Sequence, residues 1–303
     1  MNLFFRIFFG VILLYSCGKD AEVKSLTYQN IVILSDMSDR LQPKINGEIK
    51  NQQYPPLDTI EIQKIIDYFK NECVKPGEKI GDNSCIAFAT FSNSNFAKVD
   101  VGLHAELGEK QQFINSTGKF ENRGLIFELH EFESKVKNFY GTIRNDGLDL
   151  INALNAKINN DFIIKTNTVF TDGNDTTFIN YENHVYIFTD GYLEYKGRAM
   201  NDEFYFGSSE IKKLRDYCTE NNVLPAEALK FDGTLGIPSL YNKRNELIYL
   251  HVMETHSRDI NFNDMHPKNK YGLTDNEILQ AVWRKWAIDS GFKDITWDQY
   301  NSN

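Results

Sequence analysis

Two aspartates in this chain each stand where a run of large apolar residues stops. Asn30-Ile31-Val32-Ile33-Leu34-Ser35 runs into Asp36-Met37-Ser38-Asp39-Arg40, and Val185-Tyr186-Ile187-Phe188 runs into Thr189-Asp190-Gly191. Carboxylates and a hydroxyl in short loops offer oxygen to a hard cation or to a basic group on a partner. The apolar runs predict strands buried on both faces, as parallel strands are. In open α/β sheets, ligands bind beyond the carboxyl ends of the strands, so Asp36 and Asp190 are expected on one rim. Taken singly, each aspartate reads as a turn residue, since Asp-Gly is a common turn pair. Taken together, each after a buried strand, they read as a binding site.

Other chemistries find little support. The sequence holds no GxSxG elbow, no phosphate-cradling glycine loop, no CxxC and no HExxH; nucleophile elbows, phosphate loops and zinc sites are announced by such patterns. The alternative reading is an envelope hydrolase of doubly wound fold using Asp36 or Asp190. His251, His256 and His266 with Asp259 and Asp264 form a second cluster, but no pair sits at helical i,i+4 spacing, and a solvated loop is expected. Tyr192, Tyr195 and Tyr205 read as loop anchors, with a partner-contact surface as the other possibility.

The elements that must position these residues alternate. Strands are expected at Tyr28 to Ser35, Ser84 to Ser92, around Val185 and at Leu247 to Met253, with Phe96 to Leu103 as an antiparallel hairpin partner at the edge. Helices are expected at Asp58 to Asn71, Glu106 to Ser116, Phe127 to Phe139, Leu148 to Ile158 under an Asp146 cap, Ser208 to Asn221, and Thr274 to Ser290, where Glu277 completes a capping box. Leu41 to Pro56 and Glu254 to Lys270 read as polar loops, and Tyr140 to Gly147 as a polar turn. Val169-Phe170-Thr171-Asp172-Gly173 nearly duplicates the later motif. The later copy is preferred as the central strand, with Asn174 to Asn183 as a spacer or, alternatively, the two copies as a hairpin. The sum is a doubly wound, mostly parallel α/β sheet with an antiparallel edge strand.

The first 16 residues read as a leader, with Arg6 its only charge and an apolar run from Ile7 to Tyr15 too short to span a bilayer. Leu14-Tyr15-Ser16-Cys17 resembles a bacterial lipobox, which implies a lipidated Cys17 as the mature N-terminus. Residues 17–27 then serve as tether and 28–303 as one domain. The expected place is the cell envelope, membrane-attached by lipid. A net charge of −9 leaves no electrostatic footprint for nucleic acid. Beyond Cys17 the cysteines are Cys73, Cys85 and Cys218. A Cys73–Cys85 bridge and three buried thiols are both open.

From about Tyr28 onward the chain resembles the von Willebrand factor A-like family, a Rossmann-like domain with a metal-ion-dependent adhesion site. Asp36-Met37-Ser38 matches the start of its Asp-x-Ser-x-Ser loop, Thr142 its middle-loop threonine, and Asp190 its later aspartate. The resemblance implies Mg²⁺ or Mn²⁺ held by Asp36, Ser38, Thr142 and Asp190, with an acidic group of a protein partner completing the shell. Arg40 stands where the family has its second serine. A guanidinium has no lone pair to give, so it either pairs with one of the carboxylates and weakens metal binding, or swings outward and leaves Asp39 to supply an oxygen. Arg144 is a second candidate for the place of Thr142. The implied function is a lipid-anchored envelope module that recognises a partner protein through a degenerate adhesion site.

Overall fold

The computed structural model describes residues 22–38, 44–45, 48–49, 54–78, 81–91, 96–103, 107–142, 149–160, 162–194, 203–254, 259–261, 266–267, 269 and 272–299. The strands are β1 (Val23–Ser35), β2 (Lys44–Ile45), β3 (Glu48–Ile49), β4 (Cys85–Thr90), β5 (Phe96–Asp100), β6 (Thr168–Asp172), β7 (Asp175–Phe188), β8 (Ile248–Glu254), β9 (Ile260–Asn261), β10 (His266–Pro267) and β11 (Asp294–Gln299). The helices are α1 (Tyr54–Tyr68), α2 (Leu107–Ile114), α3 (Leu125–Thr142), α4 (Leu150–Asn159), α5 (Ser208–Asn221), α6 (Pro225–Phe231) and α7 (Asp275–Asp289).

One seven-stranded sheet organises the molecule, in the order β11-β8-β7-β1-β4-β5, with β6 paired to β7. The β1–β4, β1–β7, β7–β8 and β8–β11 pairs are parallel, and β4–β5 and β6–β7 are antiparallel. Four apolar residues in a row make β1 a strand with two cores. Ile31 and Ile33 pack with Ile62 and Ile66 of α1 and Phe132 and Val136 of α3. Val32 and Leu34 pack with Leu154 of α4, Leu214 of α5 and Val282 and Trp283 of α7. Helices therefore cover both faces, which makes the domain doubly wound.

A buried amide pair pins the centre. Asn30 donates to Asn183 Oδ1 at 2.8 Å and to the Ile163 carbonyl at 2.6 Å. Asn183 accepts from Lys165 N at 2.8 Å and donates to the carbonyls of Lys165 and Leu247. These bonds tie the chain entering β6 onto β1, β7 and the start of β8. Asn183→Ala should cost about 2 kcal/mol in denaturant unfolding, because it strands several buried polar groups; a change within 0.5 kcal/mol, the size of ordinary surface effects, would refute this role.

Several elements depart from expectation. β1 begins at Val23 rather than Tyr28, so the end of the expected tether is strand, paired with β7. The expected loop from Leu41 to Pro56 contains the β2–β3 pair and the start of α1. Pro55 and Pro56 sit in the first helical turn, where a missing N–H costs nothing. Asp58, the expected first residue of this helix, thus lies inside α1. Asn174 to Asn183 is no spacer: it is most of β7, and the hairpin alternative is the one realised, turning at Gly173 with φ +60°. Tyr140 to Thr142 continue α3 instead of forming a turn, and Asp149, not Asp146, caps α4. β11 was not anticipated. In α7, Ile288 is exposed, while Leu279 and Trp283 are buried. Cys73, Cys85 and Cys218 are free and buried, and burial pushes the Cys73 and Cys85 thiols up to about 12. Among the described residues, no helix is long and apolar enough to cross a membrane.

Candidate site at the carboxyl rim

Ser35 of β1 stands in register with Phe188 of β7 on one side and Thr90 of β4 on the other. The next residue, Asp36, donates its backbone N–H to the Phe188 carbonyl at 2.9 Å. Asp36 and the Thr189-Asp190 segment therefore leave the sheet side by side. The helix after β1 lies on the Ile31 face, and the helix after β7 lies on the Val32 face. Chains that depart to opposite faces open a crevice between them, the topological switch point at which open α/β sheets bind ligands.

The first loop is closed by its own aspartate. Asp36 is buried, and its Oδ1 and Oδ2 accept from Ser38 N and Ser38 Oγ, each at 3.0 Å. This local turn, favoured for Asp followed by Ser, holds the carboxylate and the hydroxyl together. Beneath it lies a buried relay. Ser35 Oγ meets Tyr140 Oη at 2.8 Å, and Tyr140 donates to Asp58 Oδ2 at 2.7 Å. The Thr90 hydroxyl, fully buried at the same level, has no hydrogen-bond partner among the described residues.

The second loop is clamped from below. Thr189 N donates to the Met253 carbonyl at 3.3 Å, Gly191 N to Thr189 Oγ1 at 3.1 Å, and Tyr192 N to Asp190 Oδ1 at 3.3 Å. Trp283 of α7 donates its indole N–H to the Gly191 carbonyl at 2.8 Å. Tyr192 Oη donates to Asp275, which also pairs with Arg215, so Tyr192 is an anchor of this loop. Asp190 itself is buried.

Glu254, the last residue of β8, is a rim carboxyl that the sequence reading placed at the start of a loop. It is buried and accepts from Trp297 Nε1 at 3.1 Å and Gln299 Nε2 at 3.2 Å. Burial pushes its pKa up to about 8, and the neighbouring Asp190 charge adds to the rise, against the two hydrogen bonds. Glu254 is therefore mostly protonated at neutral pH. The signal for it in sequence is positional: a carboxyl at the end of the apolar run Leu247 to Met253 follows the same pattern as Asp36 and Asp190.

Asp36 and Ser38 are in contact, and Asp190 leaves the adjacent strand. Thr142 is not drawn in: it is exposed at the end of α3, and its hydroxyl donates to the Asn138 carbonyl of its own helix at 2.8 Å. Cys17, Asp39, Arg40, Arg144, Tyr195, His256 and Asp264 lie outside the described residues. His251 is not part of the expected solvated loop. That residue lies in β8, stacked between His184 and Tyr186, and contacts His184 Nδ1 at 3.0 Å and Thr296 Oγ1 at 2.9 Å. Asp259 instead accepts from the Asp275 N–H that opens α7, at 2.9 Å. Among the described residues, no group of three or more His, Cys, Asp or Glu could hold a metal ion.

The rim thus offers two carboxylates, a hydroxyl and a protonated acid around one crevice. Such a set can accept a cation or the basic and hydrogen-bonding groups of a partner. In comparisons with known proteins, no family model and no curated protein matches this chain.

Proposed function

We propose that this protein is a lipid-anchored cell-envelope binding module that recognises a partner protein at the carboxyl rim of its sheet. One observation carries the reading: the Asp36 N–H to Phe188 carbonyl bond, 2.9 Å, which sets the Asp36 and Asp190 loops side by side at the switch point. The resemblance to the von Willebrand factor A-like family supports it, as does a parallel core with an antiparallel strand at one edge. The lipobox-like Leu14-Tyr15-Ser16-Cys17 supports attachment by lipid.

The donor set suits a hard divalent cation. Asp36, Ser38 and Asp190 offer only oxygen, the ligand type Mg²⁺ and Mn²⁺ prefer, and water can fill the rest of the shell. Thr142, committed to its own helix, adds nothing without rearranging. The adhesion site is accordingly a degenerate one in this proposal, with Arg40 in place of a ligand. Calorimetry with Mg²⁺ and with Mn²⁺ should show stronger binding to Arg40→Ser than to the wild type. Equal heats would remove Arg40 from the account. Capture from envelope fractions should be lost in Asp36→Ala and in Asp190→Ala and kept in Asp172→Ala. Turnover of phosphate or ester substrates that disappears in Asp36→Ala would replace the binding reading with an enzymatic one.

A further inference from the structure

The amino-terminal half of β1, the first half of β7 and β6 form a three-stranded ribbon beyond the packed core. Its residues are exposed or half-buried. The pairing Val169–Phe178–Ser25 and the alternation of side chains along each strand assign every residue to a face. Within the ribbon one face carries Val23, Ser25, Thr27, Thr176, Phe178, Asn180, Val169 and Thr171 without a charge, and Glu182, the next residue of β7 on that face, marks its inner border. The other carries Lys24, Asp172 and Asp175 with Leu26 and Phe170. Val23, Val169 and Phe178 are 68%, 58% and 43% exposed on this face; Val169 and Phe178 are paired, and Val23 stands two residues along β1 from Ser25, opposite Thr176. Tyr68, at the end of α1 on the same side of the sheet, is also exposed.

The ribbon lies at the end of the sheet opposite the rim, and Val23 is its entry point. Five residues separate Val23 from Cys17. Fully extended, that connection reaches only about 20 Å. A chain held by lipid at Cys17 therefore keeps the ribbon close to the bilayer whatever the domain does.

We propose that the uncharged face of the ribbon is a membrane-contact surface, seating Val23, Val169 and Phe178 in the headgroup region and turning the Asp36–Asp190 rim away from the bilayer. This rests on the lipid-anchor reading given above. An amphipathic element rests on a bilayer with its apolar side down and its charges in water. The sign of the charge selects the lipid: Asp172 and Asp175 and the net −9 of the chain disfavour anionic headgroups, so zwitterionic phosphatidylcholine is the surface that fits.

The chain from Cys17 onward, coupled through Cys17 to a maleimide lipid, can be placed on vesicles of brominated phosphatidylcholine. Cys73, Cys85 and Cys218 are buried, so coupling falls on Cys17. The emission that Phe178→Trp adds to that of the native Trp283, Trp286 and Trp297 should be quenched by the bromines, while the emission added by Phe170→Trp, on the charged face, and by Phe96→Trp, at the rim end, should persist. Val169→Trp gives a second probe on the contact face if Phe178→Trp folds poorly. Equal quenching on both faces, or none at either position 169 or 178, would overturn the proposal. So would a doubled mass in sedimentation with the Phe178→Trp probe shielded in the absence of lipid, which assigns the face to a second copy. Failure of the lipid-anchor reading appears separately, as an unmodified Cys17 in protein purified from membranes. The vesicle result stands apart from it because there the anchor is supplied chemically.

Discussion

Gly191→Ala should destabilise the protein by about 3–5 kcal/mol, the combined cost of a left-handed backbone and an overpacked core. Gly191 has φ +83°, and a Cβ there would sit 2.6 Å from Trp297 Cη2 and 3.5 Å from Leu279 Cδ1. Neither neighbour has room to retreat. Trp297 donates to Glu254, and Leu279 is buried on α7. The same backbone holds the Trp283 indole through its carbonyl and places Asp190 one residue earlier. The substitution should therefore reach the site as well as the core: denaturant midpoints fall, and partner capture weakens even in the fraction that remains folded. A loss below 1 kcal/mol, with an unchanged m-value, would show that the loop is looser than described.

Glu254→Gln should make the protein more stable than wild type at alkaline pH, with a margin that depends on pH in a defined direction. The folded state holds Glu254 with a pKa raised from 4.5 to about 8. A carboxyl whose pKa rises on folding contributes most below its unfolded pKa. That contribution is lost as pH climbs from about 4.5 through about 8 and is constant beyond. Each unit of separation is worth about 1.4 kcal/mol, so the stability difference between variant and wild type should widen by roughly 4–5 kcal/mol across that window. Glutamine reproduces the neutral acid: its carbonyl can accept from Trp297 and Gln299 while its amide faces Asp190. Unfolding free energies at pH 4.5 and 8.5, in chelator, measure the widening. A constant difference would mean that Glu254 is ionised in the native protein.

Much of the fold is legible where burial is two-sided. The apolar runs ending in Ser35, Phe188 and Met253 are short and rich in β-branched and aromatic residues, which favours strands of a covered sheet over buried helix. The period of Ile211, Leu214 and Cys218 and the Thr274–Glu277 capping box likewise mark α5 and α7. What escapes is structure with little core to declare it. The outer half of β7 mixes Thr, Asn and Glu with Phe178, Ile179 and Tyr181 on a ribbon beyond the core, and β11 is an edge strand that alternates weakly. Backbone pairing sustains both, and pairing leaves no trace in composition.

The site divides in the same way. The ends of β1 and β7 follow from the apolar runs, and the register of Ser35 with Phe188 does the rest. Thr142 is misjudged because α3 does not stop where the polar residues start. Its buried stripe of Leu129, Phe132 and Val136 continues to Tyr140, whose hydroxyl joins Ser35 to Asp58 and draws the helix one turn further. Glu254 is missed because its charge suggests solvent, whereas its surroundings remove the charge.

The central claim is that Asp36 and Asp190 serve one docking site. A double-mutant cycle tests it most directly, with Asp36→Asn, Asp190→Asn and the pair compared in affinity for the captured partner. One shared site predicts strong non-additivity: each single change removes most of the binding, and the double change removes little more. Losses that simply add, or a single variant that binds like the wild type, would contradict the account.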